Sequence, residues 1–244
     1  MIKMMSWLER VPKTKKERAE VRKKYSLRFT VIAVSFFTLL TGTIFAQQAS
    51  HTSQHPPRSL DGYIKMLESP DRGTWQMPQR VVESLGIKDG DVVSDIGAGS
   101  GYFTGFFSKA VGKSGKVYAC DIEKGMIDYL GERVIKEKLD NVVPVLCKPD
   151  DPMLSDGAID LIFICDTYHH IGNRDVYISL LMKYLKPGGR LAIVDFQKRE
   201  TPEGPPVSMR IAREDIVKEI TNAGFKLYAD FYFLPYQYFL VFIK

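Results

Sequence analysis

The sequence predicts an α/β fold: a doubly wound, mostly parallel seven-stranded sheet with an antiparallel C-terminal strand, preceded by an N-terminal apolar helix. Three observations carry that prediction. Short apolar runs alternate with segments of helical spacing from residue 77 to residue 225, the pattern of a sheet covered by helices on both faces. The run AIDLIFICD (158–166) is apolar almost throughout, as a strand buried on both faces requires. The end of the chain, KLYADFYFLPYQYFLVFIK (226–244), is aromatic and broken at Leu234-Pro235, which reads as a two-stranded hairpin.

Each element has its own signal. MPQRVVESLGI (77–87) is helical, with Pro78 in its first turn, Val81, Val82 and Leu85 sharing a face, and Gly86 closing it. DVVSD (91–95) is the first strand, and YFTGFFSKAV (102–111) the helix that follows and stops at Gly112. KVYACD (116–121) and KGMIDYLGERVIKEKL (124–139) repeat the unit, and NVVPVLC (141–147) adds a third strand. After the fourth strand come the helix NRDVYISLLMKYL (173–185), a Pro-Gly-Gly turn, the strand RLAIVDF (190–196) and the helix REDIVKEITNAGF (213–225). The intervening QKRETPEGPPVSMRI (197–211) is too irregular to interpret; a lid with Met209 and Arg210 facing substrate is the minority alternative.

Composition places the chain among ordinary globular proteins, at 45% apolar and 26% charged residues over 244 positions. The net charge of +5 is local to one end. Residues 1–30 hold ten Lys/Arg against three Asp/Glu, whereas the remainder holds 24 against 26. A basic tail (1–28) therefore precedes a near-neutral domain, which offers no nucleic-acid-binding face. Residues 29–46 carry no charge and fall between a membrane span of about 20 apolar residues and a signal core of about 7–15. We read them as an anchor or signal segment, 47–59 as a polar linker and 60–244 as the folded domain. Lys/Arg upstream of such a run stay in the cytoplasm, which favours export of the domain. A domain held inside by a segment lying along the membrane, or a translation start later than Met1, fits the residues as well.

Cys120, Cys147 and Cys165 lack the spacing of a zinc knuckle or redox motif and read as buried apolar thiols. A thiol cluster for a soft metalloid is the minority alternative; no metal site is expected otherwise.

VVSDIGAGSGYFTGF (92–106) sets three glycines at alternate positions after the first strand. Such a turn lets backbone approach a ligand where a Cβ collides. In the dinucleotide pattern G-x-G-x-x-G the third glycine falls at Tyr102, which disfavours a nicotinamide-dependent oxidoreductase. The sequence reads instead D-x-G-x-G-x-G through Asp95, Gly97, Gly99 and Gly101, with Asp121 closing the next strand. In this form, and over residues 75–244, the chain resembles the class I S-adenosylmethionine-dependent methyltransferases, in particular the group acting in ubiquinone and menaquinone synthesis, whose fold is Rossmann-like.

The resemblance implies S-adenosylmethionine as cofactor. Asp95 then faces its cationic end, Gly97, Ala98, Gly99 and Gly101 meet its amino-acid portion, and Asp121, followed by Ile122, receives the ribose hydroxyls. The family's Gly-Asp-Ala after the third strand is replaced here by Cys147, Lys148 and Pro149, so the acid for the adenine is expected at Asp150. CDTYHHIGN (165–173) follows the fourth strand, whose end opens into the ligand crevice. Asp166 is placed there beside the cofactor, with Tyr168, His169 and His170 on the acceptor side. A histidine, with an ordinary pKa of about 6.5, suits removal of an acceptor's proton near neutrality. Trp75, in DRGTWQMPQ (71–79), either covers the cofactor or packs beneath the sheet. The expected activity is methyl transfer to a small-molecule acceptor; the alternative is a membrane-associated binding protein that keeps the fold without turnover.

Overall fold

The computed structural model describes residues 59–244. The expected tail, apolar segment and most of the linker lie outside the described residues. Among the described residues, no helix is long and apolar enough to cross a membrane.

Three short helices, α1 (Leu60–Leu67), α2 (Arg72–Gln76) and α3 (Pro78–Ser84), precede the sheet. Only the last was expected, and it is shorter than its apolar pattern. Pro78 disfavours right-handed helix in the residue before it; Met77 takes φ +44° and separates α2 from α3. Gly86, at φ +57°, ends the turn after α3.

From there the elements alternate as predicted: β1 (Val92–Ile96), α4 (Thr104–Val111), β2 (Lys116–Asp121), α5 (Lys124–Glu137), β3 (Val142–Leu146), β4 (Ile159–Cys165), α6 (Arg174–Tyr184), β5 (Leu185–Phe196), α7 (Arg213–Asn222), β6 (Lys226–Phe231) and β7 (Gln237–Ile243). The seven strands lie in the order β3-β2-β1-β4-β5-β7-β6. The first five are parallel, and β7 runs antiparallel between β5 and β6. The terminal hairpin thus joins the sheet through its second strand. β5 begins earlier than expected because the Pro-Gly-Gly turn is absorbed into it, with a register shift opposite Ile159 and Leu161.

Two cores sandwich the sheet. One holds Val81, Leu85, Phe103, Phe107, Phe163 and Phe239 beneath α3 and α4; the other holds Ile162, Ile164, Ile178, Leu181, Ile216 and Ile220 beneath α6 and α7. Consecutive residues of β4 feed opposite cores, which explains its continuous apolar run. The chain winds from β1 toward β3 on one side and from β4 toward β5 on the other. The reversal leaves a crevice beyond the carboxyl ends of β1 and β4, where open α/β sheets bind ligands.

Phe163 fixes the centre of this arrangement, its ring 4.8 Å from Phe103 and 4.9 Å from Phe107. Truncating a buried aromatic leaves a cavity that neighbours fill only in part. Phe163→Ala is expected to cost about 3–5 kcal/mol, read as a lower urea midpoint at unchanged slope.

Candidate active site

The turn after β1 is anchored from below. The Gly97 and Ala98 amides donate to the Cys120 carbonyl at 2.8 and 3.0 Å, carrying the end of β2 up against the loop. Asp121 then ties loop to strand: Oδ2 accepts from the Gly99 amide at 2.8 Å, and Oδ1 from the Glu123 amide at 2.9 Å. Burial pushes the Asp121 carboxyl up, and the backbone donors of Glu123, Gly99 and Ile122 oppose that rise. A carboxylate offers about four acceptor positions, so these backbone donors leave room for a hydroxyl. Ile122 is exposed beside it.

Gly97 sits at φ +73°, and a Cβ there meets Thr167 Oγ1 at 2.1 Å. Thr167 itself donates to the Cys165 carbonyl at 2.9 Å. The glycine is therefore required by the segment after β4 as well as by any ligand. A Cβ on Gly99 meets Leu67 of α1 at 3.0 Å. The helix that covers the loop is held by Glu68, which accepts from Arg133 at 2.7 Å while Arg133 also donates to the Ser100 carbonyl at 2.9 Å.

Asp95 lies under the loop, 3% exposed, accepting from Thr104 Oγ1 at 2.7 Å. Burial pushes its pKa up to about 7 against the pull of Thr104 and Arg72. Asp95, expected to face the cationic end of a cofactor, is in the ligand-free chain a buried group whose proton is released near neutrality.

Asp166 ends β4 in a left-handed conformation, φ +52°. Its carboxylate accepts from Gln76 at 2.9 Å and Gln237 at 2.5 Å, with Arg72 at 3.6 Å. Arg72 also donates to Gln76 and to the Leu67 carbonyl and lies over the Tyr102 ring. Burial raises the Asp166 carboxyl, and Arg72 opposes this. Arg72, Gln76 and Gln237 did not emerge from the sequence as site residues; the only local signal was the polar insert at 71–79. Trp75 packs where the sheet's β5 ends and β7 begins, its ring 5.6 Å from Phe196 and 6.0 Å from Tyr236.

The segment Tyr168–His170 forms one 3₁₀ turn, so its consecutive side chains diverge. Tyr168 points into the core beneath α6 and α7, and its hydroxyl donates to Glu219 at 2.8 Å. That position takes it out of the expected catalytic set. His169 goes the other way: Nδ1 lies 2.9 Å from both oxygens of Asp195, a residue 1% exposed. Burial lowers the His169 pKa, but the hydrogen bond and charge of Asp195, with the charge of Asp166, more than offset it and the net shift is upward. His170 is exposed, its ring 4.1 Å from that of His169. Asp195, at the end of β5, is a second partner the sequence did not disclose.

Asp150 is exposed in the turn bridged by Lys148 and Asp151, and Asp151 accepts from the Tyr184 hydroxyl at 2.7 Å. Arg210 is buried and turns its donors into its own loop, while Met209 is half-buried in the 3₁₀ turn before it. The three thiols do not converge. Cys120 and Cys147 lie near the Pro152 carbonyl, whereas Cys165 packs in the opposite core and accepts from Gln76.

The strand order, the glycine turn after β1 and the carboxylate closing β2 define an α/β transferase that binds a nucleoside at its topological switch point. A family model described as a methyltransferase domain matches residues 87–228. The ubiquinone/menaquinone biosynthesis C-methyltransferase UbiE of Hydrogenovibrio crunogenus is 31% identical over 125 residues, 51% of this chain and 49% of that protein. Its counterpart in Shewanella pealeana is 32% identical over 119 residues, 48% and 47%. The chain spans about half the length of these curated relatives. Among solved structures, a SAM dependent methyltransferase from Aquifex aeolicus superposes with a TM-score of 0.71 at 30% identity, covering 74% of this chain and 96% of that one. The chain belongs to the class I S-adenosylmethionine-dependent methyltransferases.

Two outcomes follow from the loop. Gly97→Ala combines a left-handed backbone with the Thr167 overlap, so it is expected to lower stability by more than ~1 kcal/mol and to abolish cofactor binding in calorimetry. Asp95 behaves oppositely in the ligand-free chain. The folded state keeps its proton up to about pH 7 and the unfolded state releases it at the ordinary 3.8, so stability falls as pH rises between those values. Asp95→Asn is expected to raise Tm at pH 8, by about 2–4 °C for each kcal/mol recovered, and to flatten the pH dependence.

Proposed function

We propose that this chain transfers the methyl group of S-adenosylmethionine to a small-molecule acceptor bearing a phenolic or enolic proton. The observation that carries the reading is the buried His169–Asp195 pair, with side chains 2% and 1% exposed, at the carboxyl ends of β4 and β5. The fit of the cofactor rests on the Gly97 and Gly99 cradle and on the spare lone pairs of Asp121. When bound, S-adenosylmethionine supplies a methyl already activated on a sulfonium. The chain's own task is then chiefly orientation, worth up to about 7–11 kcal/mol in favourable cases.

In this reading Asp121 grips the ribose and the loop amides meet the amino-acid portion. Asp150, exposed in the turn after β3, is retained as the adenine partner. Asp166 is held by Gln76, Gln237 and Arg72 and fixes the wall between cofactor and acceptor. His169 takes the acceptor's proton, and Asp195 orients its ring and keeps its basicity above that of free imidazole; His170 flanks it. The names of the curated relatives place them in quinone synthesis, and a hydroxylated ring supplies such a proton. Residues 29–46 are proposed to bring the domain to a membrane, where apolar acceptors partition.

Titration of the full chain with S-adenosylmethionine in a calorimeter tests the first half. Absence of heat, with no competition by S-adenosylhomocysteine, sinks it. Asp121→Ala is expected to weaken binding at least ~10-fold, as loss of charge-assisted hydrogen bonds does. His169→Gln is expected to spare binding and lower kcat by about 10²-fold or more. Since a base acts deprotonated, kcat rises with pH through the raised His169 pKa, above 6.5. Asp195→Asn, which removes the raising charge, is expected to move that rising limb to lower pH; an unmoved limb refutes the role of the pair.

A further inference from the structure

Away from the glycine turn, a cleft of about 400 Å³ opens between α6, α7 and the 197–211 loop. Its charged lining is Arg174, Lys198, Arg210, Lys218, Asp215 and Glu219, four cations against two carboxylates. Glu219 is already committed, accepting from Arg174 at 2.8 and 2.9 Å and from the Tyr168 hydroxyl. Arg174 is correspondingly neutralised.

Arg210 is the unusual member. It is 4% exposed, and its guanidinium donates to the carbonyls of Gln197, Arg199, Glu203 and Pro205 and to the Thr201 hydroxyl. Every one of those partners is formally neutral. Buried charges are ordinarily matched by an opposite charge, because desolvation is costly and neutral dipoles offset it only in part. With its donors turned into the loop and its guanidinium 5.1 Å over the Phe196 ring, Arg210 lines a cleft whose rim carries the exposed Lys198 and Lys218.

We propose that this cleft binds an anionic group, a carboxylate or a phosphate, drawn by the unmatched charge of Arg210 and held at the rim by Lys198 and Lys218. Two sources share that chemistry: an anionic substituent of the methyl acceptor, or a free anion. The cleft wall reaches Tyr168 through Glu219, one residue from His169. The acceptor-borne source therefore rests on the proposed methyl transfer, whereas anion binding does not.

The test uses the full chain and the double variant Lys198→Ala/Lys218→Ala, whose exposed side chains can be removed without disturbing either core. Inorganic phosphate is titrated at constant ionic strength by calorimetry and thermal shift. Phosphate is expected to bind the parent chain and raise its Tm, and to bind the double variant at least ~10-fold more weakly, with affinity for S-adenosylmethionine unchanged in both. No response in the parent chain, or an equal response in the two, overturns the proposal. Turnover of phenol and of 4-hydroxybenzoate separates the sources. A ~10-fold higher KM for the benzoate alone in the double variant assigns the anion to the acceptor; weakened phosphate binding with both KM values unchanged assigns the cleft to a free anion. Failure of S-adenosylmethionine to bind strikes the proposed function and leaves the phosphate result standing.

Discussion

The bond from the Gly99 amide to the Asp121 carboxylate is the constraint on which the ligand end of this molecule depends. It fastens a turn of left-handed backbone, with little helical or strand pairing of its own, to the rigid end of a sheet strand. The Gly97 and Ala98 amides, bound to the Cys120 carbonyl, complete the fastening. With the turn fixed, Thr167 can nest on Gly97 and Leu67 on Gly99, so the segments after β4 and before β1 both take their positions from the same few atoms. A preformed backbone cradle needs little ordering when a ligand arrives, which is where much binding energy is otherwise lost.

Around that cradle the chain keeps three shielded acids at the ends of adjacent strands, Asp95 and Asp195 buried and Asp166 half-buried. Their environments differ. Asp195 has a histidine against it, Asp166 two amides and a more distant guanidinium, and Asp95 a single hydroxyl. Burial lifts the Asp95 pKa to about 7 against the one side-chain hydrogen bond it accepts, from the uncharged Thr104 hydroxyl. A fold selected for stability alone has little use for such a cluster. Its retention beside a crevice is the signature of a site where electrostatic cost is exchanged for chemistry.

Much of the fold was legible because local patterns and tertiary burial agree: β4 is apolar throughout and is buried on both faces, and the Leu234-Pro235 break falls between β6 and β7. The glycine turn after β1 and the acid closing β2, 26 residues after Asp95, were legible for the same reason, since both fall at strand ends. The acceptor half was not. Gln76 reaches Asp166 across 90 positions and Gln237 across 71, and Asp195 meets His169 across 26; no periodicity joins such pairs. Tyr168 misled because adjacency in sequence was taken for adjacency in space, and a 3₁₀ turn sends neighbours to opposite sides. α1 and α2 are too short to show a persistent apolar stripe, and one of them carries Arg72.

The family match ends at residue 228 and starts at residue 87. Arg72, Trp75, Gln76, Tyr236 and Gln237 all fall outside it, yet they meet one another and Asp166 above the strand ends. Two segments far apart in the chain thus close on each other and on Asp166, with Gln76 and Gln237 meeting across 161 positions. A fusion or splice that exchanged only one of them would leave the Asp166 carboxylate with half of its amide donors.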